Sequence, residues 1–144
     1  MYMQPKNGAT KRFISGPQLD AFSEQAAATM VSDPYLISSE SDRMGYRLKG
    51  PLLGHCVSPD IISDYIIPGS IQVPGSGQPI ILMSDCQMTG GYAKIGVVIG
   101  VDIPCLAQRK PGDQVAFARI EIDEAQQLWK SQEQLITRLA LNNC

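Results

Sequence analysis

The chain has 144 residues, of which 44% are hydrophobic and 18% charged, and it carries a formal net charge of −2. That is enough chain for one core of its own, with the composition of an ordinary globular protein. The absence of a basic cluster argues against nucleic acid as a partner, and no run approaches the ~20 apolar residues that span a bilayer.

The first ten residues, MYMQPKNGAT, read as a flexible polar arm. They lack the apolar segment of a secretory signal, so a cytoplasmic location is expected. Lys11–Ser15 is a first short strand. Pro17 then suits the first position of a helix, and Leu19, Phe22, Ala26 and Met30 recur at helical spacing. Pro34 pushes Asp33 out of the helical region, so the helix stops near Ser32. Tyr35–Ser38 and Arg43–Lys49 follow as strands. In the second, Met44, Tyr46 and Leu48 alternate with Gly45, Arg47 and Lys49, which predicts one buried and one wet face. Ile61–Ile67 is a further strand, and Pro68-Gly69 turns the chain.

Three apolar runs come next, Ser70–Val73, Ile80–Met83 and Lys94–Val101. Pro74-Gly75-Ser76-Gly77 fits a tight connection, and Gly90-Gly91 reads as a second reversal. Pro104–Gln108 is one helical turn, and Lys110-Pro111-Gly112-Asp113 is a turn. Gln114–Ile122 is the last strand. Asp123 caps a final helix, with Gln126 in capping-box position. Ala125, Leu128, Trp129, Ile136 and Leu139 form its apolar stripe, expected to pack on the core with Trp129 as anchor.

Eight short strands, evenly punctuated by turns and without a β–α–β alternation, predict a mainly β fold. The expected architecture is an antiparallel β-barrel with two flanking α-helices, residues 1–144 forming a single domain. Cys56, Cys86, Cys105 and Cys144 match no metal-ligand spacing and read as reduced, mostly buried thiols; no metal site is expected.

Gln72, Gln78, Asp85, Gln87, Thr89, Tyr92 and Lys94 sit at or beside strand ends in the central stretch. Solvated hairpin residues are one reading of this set. A shallow polar pocket is the other, since a carboxamide both donates and accepts hydrogen bonds.

Several segments carry a resemblance. Ser41-Asp42-Arg43-Met44-Gly45-Tyr46-Arg47-Leu48 with Gly50-Pro51 is one, and Pro68-Gly-Ser-Ile-Gln-Val-Pro74 is another. Gly77-Gln-Pro-Ile80, Thr89-Gly-Gly-Tyr-Ala-Lys-Ile95, Leu106-Ala-Gln108 and Pro111-Gly-Asp113 continue it, as do Gly16-Pro17-Gln18 and Ser63-Asp64. Together they resemble the biotin-dependent carboxyltransferase family, also called allophanate hydrolase subunit 2, whose members include the 5-oxoprolinase C subunit and KipA. The resemblance implies a cyclophilin-like barrel and covers only the second half of the family's two-barrel chain. It implies a small amide or lactam substrate, 5-oxoproline or urea, and an activity completed by the first barrel and by a KipI-like protein (the 5-oxoprolinase B subunit).

On that resemblance Lys94 is the candidate to stabilise an oxyanion or a carboxylated or phosphorylated intermediate, and Gln72 to orient the amide. Thr89 and Tyr92 flank the pocket, and Gln78 is a further substrate-binding candidate or part of its hairpin. Asp64 and Asp85 are candidate bases. Arg43 is either a carboxylate clamp or half of a structural ion pair with Asp42 or Asp64. There is no Walker-type phosphate loop and no Met-Lys biotin-acceptor segment, so ATP or biotin is expected from partner domains and no cofactor from this chain. The alternative reading is a KipA-like regulatory protein that binds a KipI-like kinase inhibitor. A barrel without its neighbour is also expected to expose an apolar patch and self-associate.

Overall fold

A computed structural model describes residues 10–58, 60–87 and 89–142, excluding the side chains of 62–64 and 140–142. The expected arm at residues 1–9 lies outside the described residues, while Thr10 already belongs to the first strand. The strands are β1 Thr10–Ser15, β2 Tyr35–Ile37, β3 Gly45–Lys49, β4 Asp60–Tyr65, β5 Ser70–Gln72, β6 Ile80–Leu82, β7 Thr89–Tyr92, β8 Lys94–Val98 and β9 Gln114–Arg119. The helices are α1 Glu24–Ser32, α2 Ile103–Ala107 and α3 Ile122–Asn142.

Seven strands close into a barrel in the order β1-β8-β5-β6-β3-β2-β9, and β4 pairs with β7 as a separate ribbon. Every barrel pair is antiparallel except β1 and β9, which run parallel with Thr10 opposite Ala116 and Phe13 opposite Arg119. The mainly β barrel expected from sequence is present, and this one pair departs from its antiparallel order. A ring with an odd number of strands cannot alternate direction all the way round, so one pair must be parallel. The flanking helices are three rather than two, because the turn expected at Pro104–Gln108 is the short α2.

The interior holds Phe13, Tyr35, Ile37, Leu48, Ile71, Ile81, Ile95, Leu106 and Phe117, all essentially inaccessible. Phe13 meets Phe117 edge-on with ring centroids 6.0 Å apart, the geometry that aromatic quadrupoles favour. Alternation holds in β9, where Val115 and Phe117 point inward. Gly77 takes φ +80° in the connection after β5, and its N–H donates to the Pro74 carbonyl at 2.9 Å.

Three local expectations change. Pro17 does not open a helix: the chain makes a 3₁₀ turn at Leu19–Ala21, extends at Phe22, and restarts as α1 after Ser23. Phe22 is drawn out by a backbone bridge to His55 and by a ring contact with it at 4.8 Å. Gly90-Gly91 is not a reversal but lies in β7, with Gly90 opposite Asp64. Asp123 does not cap α3, which begins one residue earlier, and sits in its first turn, where a carboxylate suits the helix dipole.

The α3 stripe is the largest correction. Trp129 is 49% exposed, Ile136 56% and Leu139 54%. The barrel fills its core with its own strands and with Met30 and Leu106, leaving α3 only a seat near Gly100, against which the Trp129 ring packs. The thiols are also less buried than expected: Cys56 and Cys105 are exposed and Cys86 is half-buried, while Cys144 lies outside the described residues. No helix among the described residues is long and apolar enough to cross a membrane.

Candidate functional site

Strand pairing builds one row of side chains across four neighbouring strands. Arg47 of β3 stands opposite Ile80 of β6, Ile80 opposite Gln72 of β5, and Gln72 opposite Lys94 of β8. Directly opposed residues project to the same face of a sheet, and the adjacent residue on a strand projects to the other. Ile71 and Ile81 are the adjacent pair and lie wholly in the core. The row therefore stands on the outer face of the barrel.

An outer face is normally wet, yet Gln72 is 6% exposed and Lys94 5%. The β4–β7 ribbon and the segment after β4 cover them. The Lys94 ammonium donates to the Tyr65 carbonyl at 2.6 Å, and its backbone N–H donates to Gln18 Oε1 at 3.1 Å. Gly90 of β7 lies directly over Gln72: a Cβ there would meet the Ile66 side chain and stand 2.6 Å from Gln72 Nε2. Glycine in β7 is thus explained by close approach rather than by a turn.

Between the row and the ribbon is a cavity of about 330 Å³, lined by Arg47, Gln72, Ile80, Thr89, Gly90 and Tyr92 among others. The Gln72 Nε2 is buried and has no hydrogen-bond partner among the described residues. An unmet buried donor costs about 1–3 kcal/mol. A buried donor left unmet at the wall of a cavity is free to bond a group that enters the cavity.

The residues singled out from sequence divide into two sets. Gln72, Thr89 and Tyr92 line this cavity, as does Gln87, while Lys94 stands in the same row beneath the ribbon. Gln78 does not line it. Its Nε2 donates to the Gly50 carbonyl at 3.2 Å and its Oε1 accepts from the Gly50 N–H at 3.1 Å, so it ties two loops together. Arg43 lies on a separate cleft of about 260 Å³ with Tyr46, Arg109 and Lys110. Asp42 does not pair with it: its Oδ1 accepts from the N–H groups of Met44 at 2.9 Å and Gly45 at 3.2 Å. Asp85 is exposed and lines neither cavity. The Asp64 backbone lies in β4, and its side chain is outside the described residues.

Arg47, Asp42 and Ile66 also line the wall and were not singled out as site residues. The signal for Arg47 was present, since the period-two pattern of β3 puts it on the face opposite Leu48. What was missing was the ribbon that partly covers that face. Among the described residues no cluster of three or more His, Cys, Asp or Glu side chains could hold a metal ion.

A family model described as carboxyltransferase domain, subdomain A and B, matches residues 1–119. The chain is 36% identical over 129 residues to the C subunit of the 5-oxoprolinase of Escherichia coli (strain K12), covering 90% of this chain and 42% of the relative. It is 39% identical over 122 residues to the C subunit of the 5-oxoprolinase of Haemophilus influenzae, covering 85% and 40% respectively. It spans, in other words, about two fifths of the length of these relatives. Among solved structures, the urea amidolyase of K. lactis superposes with a TM-score of 0.80 at 25% identity, over 87% of this chain and 8% of that one.

Proposed function

The chain belongs to the carboxyltransferase-domain family, and from that premise we propose that the cavity beneath the β4–β7 ribbon is the substrate pocket of an enzyme acting on a small amide or lactam, in the manner of a 5-oxoprolinase. The observation that carries this reading is the buried, unmet Gln72 Nε2. An amide or lactam carbonyl is the uncharged acceptor that matches it, and a cavity of about 330 Å³ accommodates a ring of five or six atoms. Arg47, on the same wall, offers a charge-assisted donor to any carboxylate on the substrate.

Lys94 is assigned the stabilisation of negative charge developing on the substrate. Its ammonium lies on the face that carries Gln72 and donates to the Tyr65 carbonyl. A fixed cation in a covered site acts more strongly than one in water.

Neither ATP nor biotin is assigned to this cavity. Among the described residues its wall offers one guanidinium, Arg47. Nucleotide or carboxyl-group chemistry is therefore assigned to the remainder of the assembly: the family's first barrel and a KipI-like protein.

The test is reconstitution. The chain mixed with a first-barrel half and a KipI-like protein should hydrolyse ATP in the presence of 5-oxoproline, and Lys94→Ala should lower that rate about 100-fold or more. An unchanged rate with Lys94→Ala removes Lys94 from the mechanism. Binding of the KipI-like protein without any substrate-dependent turnover would favour a KipA-like regulatory role.

A further inference from the structure

Arg43 lies outside the substrate pocket but on a cleft of its own, of about 260 Å³, together with Arg109 and Lys110. Three of the chain's 12 lysines and arginines thus line one small cleft in a protein of net charge −2. Packing alone does not gather like charges at a cleft, since each repels the others. The backbone that carries them is fixed on both walls. The Arg43 carbonyl accepts from the Asp85 N–H at 3.2 Å, and the Met44 carbonyl accepts from the Met83 N–H at 3.1 Å. Opposite, Leu106 is wholly buried and its carbonyl accepts from the Arg109 N–H at 3.0 Å. The Tyr46 hydroxyl donates to the Ala107 and Arg109 carbonyls, at 3.1 and 3.0 Å. Arg43 and Lys110 form no ion pair or side-chain hydrogen bond among the described residues. The carboxylates nearby are turned to the backbone instead. Asp42, also on the cleft, has Oδ1 engaged by the Met44 and Gly45 N–H groups, and Asp113 Oδ2 accepts from the Lys110 backbone N–H.

We propose that this cleft binds a phosphoryl group, as free phosphate or as a small phosphate monoester. Charge selects it. A phosphate monoester carries about −1.5 to −2 at pH 7 and three strong acceptor oxygens, which answers three cations better than the single charge of a carboxylate. Arg43 and Arg109 offer planar forks suited to those oxygens, and Lys110 adds a point charge. Ser84, on the same cleft, adds a hydroxyl. Size limits the ligand. At about 260 Å³ the cleft is smaller than the ~300–1,000 Å³ of pockets that hold drug-sized ligands, so it takes the phosphoryl group and a short substituent rather than a whole nucleotide.

Calorimetric titration of the whole chain with inorganic phosphate, methyl phosphate and acetate, at constant ionic strength, tests this. Saturable phosphate binding with a Kd below about 10 mM is expected, at least tenfold tighter than acetate. The tighter of inorganic phosphate and methyl phosphate identifies the free ion or an ester as the ligand. Arg43→Gln and Lys110→Gln should each weaken binding about fivefold. Both residues are exposed, so the circular dichroism spectrum should be unchanged. Arg47→Gln, in the substrate cavity, should leave phosphate affinity unaltered. No saturation by about 50 mM, equal affinity for acetate, or indifference to either cleft variant overturns the proposal. Loss of binding through Arg47→Gln would place the ion in the substrate cavity and overturn it as well. The outcome does not depend on the substrate pocket, with which this cleft shares only Asp42 among its lining residues.

Discussion

Gln72 and Lys94 stand directly opposite one another on β5 and β8, and both are more than nine-tenths buried although they occupy the outer face of the barrel. The β4–β7 ribbon makes that possible by covering both side chains. Two predictions test this site and two test the fold that carries it.

Replacing Gln72 by leucine should separate stability from function. The change removes a buried donor that has no partner and keeps a similar volume. Chemical denaturation is expected to show a protein as stable as the original or more so, by up to about 2 kcal/mol. Calorimetric titration with 5-oxoproline should show binding lost. A Gln72→Leu protein that binds unchanged would mean that the amide faces no ligand.

Gly90→Ala places a methyl group against Ile66 and within 2.6 Å of Gln72 Nε2. Both must shift, at a cost of about 1–3 kcal/mol. The expected result is a folded barrel with weakened ligand binding, whereas Gly91→Ala, whose nearest neighbour would be the Ile61 carbonyl at 3.5 Å, should be mild. Equal effects at the two positions would contradict the close approach.

Tyr35 should govern part of the alkaline stability. Burial pushes its hydroxyl from 10.0 up to about 12, with Asp33 adding to the effect. The folded state thus holds this proton more tightly than the unfolded state. Its contribution is complete below pH 10 and is lost as pH rises through about 12. Tyr35→Phe should flatten that decline. It should also cost about 1 kcal/mol at neutral pH, because the hydroxyl donates to the Pro51 carbonyl at 2.7 Å. Tyr46, raised in the same direction by burial, leaves a residual slope.

The ion pair of Arg12 with Asp102 fastens β1 to the segment after β8. Arg12 gives Nη2 to Oδ1 at 2.7 Å and Nε to Oδ2 at 3.0 Å, and its backbone N–H reaches Oδ2 at 2.7 Å. Asp102 is 8% exposed, while the Arg12 side chain is a third open to solvent. Solvent screening on the arginine side lowers the worth of the pair. Asp102→Ala should cost about 2–3 kcal/mol and Arg12→Ala less, since the aspartate then keeps the backbone N–H. Urea denaturation of both variants and of the double variant tests the order.

By itself the sequence settled the elements whose pattern is local: the strand periodicity of β9, the turn at Gly77, the helical stretch ending at Ser32 and the apolar rhythm of α3. Its family motifs also marked Gln72, Thr89, Tyr92 and Lys94. What it left open depends on partners distant in the chain. Strand parity around a closed ring made β1 and β9 parallel, and only a ribbon folded over Gly90 could bury Gln72 and Lys94 on an outer face. Gln78 looks the same as Gln72 in sequence; the loop at Gly50 that it meets decided otherwise. Likewise the stripe of α3 is as apolar as a core helix, and only the closure of the barrel without it left that stripe in solvent. Periodicity specifies which face of an element is apolar, but the identity of what covers that face is a property of the whole chain.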